Sequence, residues 1–302
     1  MPAPGVIAAD LGGTFTKFGV VDADGSLTAT EQLRTPVTDG GLMVVEWLAE
    51  QLTARATEHG LQRFGVATPG IIDEAKGVVV AAPNIGWSRL PLSELLEQMT
   101  GLEGTLTHDV RAGGRAEARV GAGTGVDNAM FVPLGTGIAA AVMVDGRVLE
   151  AGGYAGELGH IRVPAAGDVR CACGQLGCLE VVASAAGVRR TYQRITGIEM
   201  VEVPETVEIA RRAIAGDRAS SQSLTLAGVA LGEAFVIATT LFGPERIILG
   251  GGLAGAFDEL EPVISEKLAT MTFQRRPEIV RAELGSRAGV TGAGLTTWER
   301  TA

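Results

Sequence analysis

Positive charge is the first thing this sequence is short of. Lysine and arginine number 25 against 35 aspartates and glutamates, a formal net charge of −10. Long polyanions recruit basic patches, so a chain this acidic is not built around nucleic acid as its main partner. Long apolar runs are scarce as well, and no stretch of 18 or more apolar residues reads as a membrane span. The opening "MPAPGVIAADLGGT" has no basic segment and enters a strand pattern at once, so no signal peptide is expected. Cysteine is limited to three residues, an odd number that cannot pair fully within the chain; a reducing cytoplasm is the simplest setting. Histidine also numbers three. Low-complexity segments and long linkers are missing.

What is there is an α/β chain with material for a core. Its 302 residues are 46% hydrophobic and 20% charged, which suits two modest domains or one large one. "GVIAAD" (5–10) and "FGVVDADG" (18–25) read as paired strands across the glycine-rich "LGGTFTK". Residues 41–59 carry a helical period, with Leu42, Val45, Leu48 and Leu52 on one face. "RFGVATPG" and "GVVVAAPN" are further strands, "LSELLEQMT" is a helix, and "GTLTHD" is a strand running into a helix from about Ala112. Then "AMFVPLGTGIAAAVMVDG" repeats the opening pattern of strand, Gly-Thr turn, strand and Asp-Gly turn. Helices near 184–196, 204–216 and 219–241 follow, then strand "RIILGGG", helix 254–269, strand "EIVRAEL" and a last helix over 287–300. A duplicated opening implies two similar lobes with a cleft between them, divided near residue 110.

Each opening carries a turn suited to phosphate. Gly12 and Gly13 let the backbone approach an anion, Thr14 adds a hydroxyl and Lys17 a positive charge. Asp10, at the strand end, can hold Mg²⁺ through water. For one motif alone, a plain hairpin turn with glycines for geometry is the better explanation. The second turn, Gly135–Thr136–Gly137, adds weight, because two facing turns can clamp one phosphate chain. A third glycine turn, Gly250–Gly251–Gly252, leaves room for a base or ribose, or merely connects a strand to a helix. Asp109 ends the "TLTHD" strand. It is placed to take a proton from an attacking hydroxyl, as phosphoryl transfer requires, or to cap the helix that follows.

All three cysteines lie in eight residues. His160, Cys171, Cys173 and Cys178 make the spacing His-x10-Cys-x-Cys-x4-Cys, a closed set for structural zinc; clustered reduced thiols are the alternative. A ligand imidazole keeps a second ring nitrogen for another partner. Glu157, His160 and Glu180 can therefore present converging polar groups to a polyol, unless the two glutamates are simply solvated.

Together "DLGGT", "GELGHIRV", "CACGQLGCLE" and "VVAS" resemble the ROK family (repressors, open reading frames and sugar kinases), in particular its bacterial glucokinase-like members. The resemblance runs from Asp10 to about Gly294. The zinc-stretch motif is specific, whereas "DLGGT" alone marks the wider actin-like ATPase superfamily. The resemblance implies an actin-like ATPase fold of two ribonuclease-H-like lobes around a cleft. The small lobe would be residues 1–110, joined by the C-terminal helix over 287–302, and the large lobe 111–286 with the zinc stretch. It implies an ATP-dependent hexose kinase moving the γ-phosphate to a sugar hydroxyl, glucose to glucose 6-phosphate, in cytoplasmic carbohydrate metabolism and glycolysis. By the same resemblance Asp109 is the base, and Asn84 of "PNIGW", His108, Asp109, Glu157, His160 and Glu180 meet the sugar. Asp10, Gly12–Thr14, Lys17, Gly135–Gly137 and Gly250–Gly252 meet Mg-ATP, and His160 with the three cysteines holds structural zinc.

The implied partners are a sugar and a nucleotide, with neither nucleic acid nor membrane, in a homodimer or homotetramer. The family's usual Asn-Asp is His108-Asp109 here, which leaves the base and opens the sugar to N-acetylmannosamine, N-acetylglucosamine, mannose, fructose or an inositol derivative. Ala139–Ala141 stand where the family has more glycines, adding methyl groups near the second turn. Family repressors carry a helix-turn-helix ahead of the kinase-like part, and the first strand here starts within ten residues, so a DNA-reading role is not expected. A non-catalytic sugar-sensing protein is the alternative of another class.

Overall fold

The computed structural model describes residues 5–36, 41–272 and 275–301. The chain divides into two compact units. Met1–Thr124, Val148–Ala155 and Ser286–Ala302 make the first, and Gly125–Arg147 with Gly156–Gly285 make the second. The first unit thus runs past residue 110 to Thr124.

The first unit is built on β1 (Val6–Leu11), β2 (Phe15–Val21), β3 (Leu27–Arg34), α1 (Leu42–His59), β4 (Arg63–Thr68), β5 (Ile71–Asp73), β6 (Val78–Ala82), β7 (Trp87–Leu90), α2 (Leu92–Thr100), β8 (Glu103–His108) and α3 (Asp109–Val120). Its main sheet runs β3-β2-β1-β4-β8. β1 pairs antiparallel with β2 and parallel with β4, which is parallel to β8. "VIAADL" and "RFGVAT" are near-continuous apolar runs because both of their faces are covered. β3, "LTATEQLR", is the exposed edge, and its polar residues hid it from the sequence pattern. Val45, Leu48 and Leu52 of α1 pack onto this sheet, but Leu42 is 63% exposed. The apolar face of α1 therefore begins a turn later than the period suggested.

The second unit repeats the order. Its strands are β9 (Ala129–Pro133), β10 (Ala141–Val144), β11 (Arg147–Val148), β12 (Arg246–Gly250) and β13 (Glu278–Arg281), and its helices are α4 (Glu180–Ala183), α5 (Ala185–Thr196), α6 (Thr206–Ile214), α7 (Arg218–Phe242) and α8 (Phe257–Leu268). The sheet runs β11-β10-β9-β12-β13, with β9 antiparallel to β10 and parallel to β12. Position by position this is the arrangement of the first sheet. α7, the helix expected over 219–241, is long and apolar enough to cross a membrane by length and composition only. Its Leu224, Leu231 and Phe235 are fully buried, and it packs against α5, α6 and α8, so its length serves the core of this unit.

The final helix, α9 (Ala288–Thr301), returns to the first unit. Thr297 Oγ1 donates to the Phe64 carbonyl at 3.1 Å, and Trp298 Nε1 donates to the Val21 carbonyl at 3.1 Å. Small residues let α9 lie close to β1, β4 and α3. Ala302, the last residue of the expected helix, lies outside the described residues.

Candidate active site

In the first unit the β1–β2 pairing sets Asp10 directly across from Lys17. Lys17 Nζ lies 4.0 Å from Asp10 Oδ2 and donates to the Ser286 carbonyl at 3.0 Å. Burial first, then the negative charge of Asp109, pushes the Asp10 carboxyl up to about 6, with Lys17 pulling the other way. A carboxylate held so reluctantly ionised gains from a cation beside it, which fits the Mg²⁺ role expected for Asp10. The Gly12 N–H closes the hairpin on the Phe15 carbonyl at 3.1 Å, and the Gly12 carbonyl accepts the Thr35 hydroxyl at 2.7 Å. The Gly12 N–H and carbonyl are thus spent on the turn itself, while Gly13 and Thr14 are exposed. Asn84 is exposed in the turn between β6 and β7, which Trp87 fixes by donating Nε1 to the Gly41 carbonyl at 2.8 Å.

β8 delivers His108 and Asp109 at the same edge. The helix begins at Asp109, not near Ala112, and the residue before it, His108, makes no side-chain cap. Asp109 is therefore the first helical residue, and its Oδ1 accepts the Val110 N–H at 2.7 Å. His108 Nε2 lies 3.3 Å from the same oxygen, with the Asp109 side chain 36% exposed. A carboxylate this open can still meet a substrate hydroxyl.

In the second unit the Gly135–Gly137 turn joins β9 to β10, and the Gly135 N–H reaches the Gly137 carbonyl at 3.3 Å. Glu180 opens α4 and sends Oε2 back to accept the Ile138 N–H at 3.1 Å. A Cβ on Gly137 would stand 2.8 Å from that oxygen, so glycine makes room for the acid. Glu180, expected only as a sugar ligand, thus also braces the phosphate-type turn. Ala140 and Ala141 are buried in the unit's own core, and the Ala140 N–H donates to the Gly156 carbonyl at 2.7 Å. Ala139, next to the turn, is half-buried. The Gly250–Gly252 turn ends β12, and Gly251 (φ 78°) packs so closely that a Cβ would meet the Leu134 carbonyl at 2.5 Å. The Leu134 N–H in turn donates to the Gly250 carbonyl at 2.8 Å, placing this turn beside the start of Gly135–Gly137.

The cysteine loop folds His160, Cys171, Cys173 and Cys178 together, with their ligand atoms all within 4.8 Å of one another. Cys173 and Cys178 Sγ are 3.7 Å apart, and Cys171 Sγ is 3.7 Å from His160 Nδ1. A tetrahedron with metal–sulfur bonds of about 2.3 Å has sulfur–sulfur edges of about 3.8 Å, so the donor set fits a zinc ion. Burial pushes the Cys178 thiol up to about 12, with the neighbouring thiols adding to it, whereas the Gln175 backbone N–H helps hold the exposed Cys173 down. His160 turns its other nitrogen, Nε2, toward Glu157 Oε2 at 4.0 Å. One acid that the sequence did not single out, Glu74, lies fully buried in the first unit with Arg111 and Arg115.

The ROK family model matches residues 6–299. A glucokinase from Thermotoga maritima is 32% identical over 318 residues, covering 99% of this chain and 99% of its own. Among solved structures, a ROK hexokinase from Thermus thermophilus superposes with a TM-score of 0.84 at 32% identity, covering 98% of this chain and 99% of its own. A ROK family glucokinase from Streptomyces griseus, in complex with glucose and AMPPNP, superposes at 0.83 with 28% identity and the same coverage. The chain belongs to the ROK family and has its actin-like ATPase fold.

Proposed function

We propose that this ROK family chain is an ATP-dependent sugar kinase with glucose as its first acceptor, giving glucose 6-phosphate. The observation that carries the reading is the His160 ring, whose Nδ1 faces the cysteines while Nε2 faces Glu157. Zinc, when bound, supplies structure and no Lewis acid, because the four donors fill its coordination. The loop then holds Glu157 and His160 still enough to meet sugar hydroxyls, joined by Glu180 and by Asn84 and His108. Asp109 accepts the proton of the attacking hydroxyl as its oxygen bonds the γ-phosphorus and the bond to the ADP oxygen breaks. The turns at Gly12–Thr14 and Gly135–Gly137 hold the phosphates, with Lys17 adding charge; Gly250–Gly252 takes the nucleoside. Asp10 would hold Mg²⁺, which neutralises charge on the phosphates.

The proposal includes the two-lobe division, a homodimer or homotetramer, and a place in cytoplasmic sugar metabolism that feeds glycolysis. His108 Nε2 sits 3.3 Å from the base, so a sugar hydroxyl there must share that nitrogen. That contact keeps N-acetylmannosamine, N-acetylglucosamine, mannose, fructose and inositols as second acceptors. ADP release from Mg-ATP across these sugars tests the reading. Glucose is expected to give the highest kcat/KM. Preference for another sugar moves the acceptor, and silence on all of them with sugar still bound points to a sensor.

A further inference from the structure

We propose that Glu74 is a positioning residue for the base Asp109, an inference that rests on the kinase reading above. Glu74 follows β5 in the sequence "IIDEAKG", and its side chain is fully buried. A buried carboxylate persists only where it is paired and hydrogen-bonded. Oε1 accepts the Thr107 hydroxyl at 2.9 Å and the His108 backbone N–H at 3.1 Å, and Arg111 Nε donates to the same oxygen. Oε2 meets Arg115 at 3.1 Å. Burial pushes this carboxyl up, but the Arg115 and Arg111 guanidiniums outweigh it and hold it below the usual carboxylate range.

The bonded groups bracket Asp109. Thr107 and His108 are the last two residues of β8, and Arg111 lies in the first turn of α3. One carboxylate therefore grips both the strand end and the helix start, and the residue between them is the base. Arg115 tightens the grip by donating Nη1 to the Thr107 hydroxyl at 3.0 Å. Charge-assisted bonds of this kind fix a backbone step more firmly than neutral ones. A base must be held closely, since a misplacement of about 1 Å can cost on the order of 100-fold in rate. Glu74 touches no reacting atom in this account and acts only through the backbone it holds.

The test compares Glu74→Gln with Glu74→Leu, each in an Arg111→Met background so that one anion and one cation are lost together. The amide oxygen of the first still accepts from His108, and the second offers no acceptor. Per folded molecule, kcat of the Glu74→Leu protein is expected ~10-fold or more below that of the Glu74→Gln protein, with sugar and ATP KM within about threefold in both. If the Glu74→Leu protein does not fold, Glu74→Asp alone asks the same question, because it keeps the charge but withdraws the acceptor; the same fall in kcat is expected. Equal kcat between acceptor-bearing and acceptor-lacking proteins, or wild-type kcat in Glu74→Asp, overturns the role. The wild-type protein is assayed alongside. An active wild type with matching variants removes the positioning role alone, whereas a wild type without sugar-dependent turnover removes the kinase reading and this role with it.

Discussion

Glu180 Oε2 accepts the backbone N–H of Ile138 at 3.1 Å, which ties the helix after the cysteine loop to the glycine turn expected to hold phosphate. On the proposed reading, this one carboxylate joins the sugar side of the second unit to its nucleotide side. Ile138 is buried, so losing this partner strands its N–H at a cost of about 1–3 kcal/mol. Glu180→Ala is expected to raise the KM for ATP as well as for sugar, while Glu180→Gln spares ATP. Steady-state kinetics with each substrate varied checks this; an unchanged ATP KM in Glu180→Ala separates the two functions.

The cysteine loop makes a metal-content prediction. Purified protein should carry one zinc per chain by mass spectrometry of the metal. Cys173→Ser should lose it, along with at least ~2 kcal/mol of stability, since metal binding energy is folding energy at such a site. A variant that keeps both its zinc and its melting temperature would remove Cys173 from the ligand set.

Asp10 sets a pH dependence of stability. Its carboxyl is pushed up to about 6 from an ordinary 3.8. The folded chain therefore holds this proton more tightly than the unfolded chain does. The stabilising contribution is full below 3.8 and is lost as pH rises through 6. The gap of about two pKa units is worth ~3 kcal/mol. Without Mg²⁺ or nucleotide, Asp10→Asn should gain on wild type by up to that amount between pH 4 and pH 7. Urea unfolding across this range measures it, and a difference that stays level with pH contradicts the assignment.

Much of this was legible in the sequence for identifiable reasons. The clustering of His160 with the three cysteines announces itself because the four donors lie close together in the sequence, and the duplication because both halves repeat strand, Gly-Thr turn and strand. β3 was missed because an exposed edge strand carries polar residues, and Leu42 misled because a helix's apolar period does not say where its buried face begins. Glu74 stayed hidden for a different reason. In "DEAK" it reads as a solvated charge, but Arg111 donates to it from 37 residues away, and Arg300 Nη2, 226 residues away, donates to its Oε2 at 3.3 Å. The brace between Glu180 and Ile138 likewise spans 42 residues, with no local pattern to mark it.

Asp109→Asn tests most directly whether Asp109 serves as the base of a sugar kinase. Sugar binding is read by calorimetry and turnover by ADP release on the best acceptor. The variant is expected still to bind the sugar, within about tenfold of wild type, while kcat falls by ~10³ or more, because a base acts only in the transition state. Near-normal turnover in the variant would contradict it.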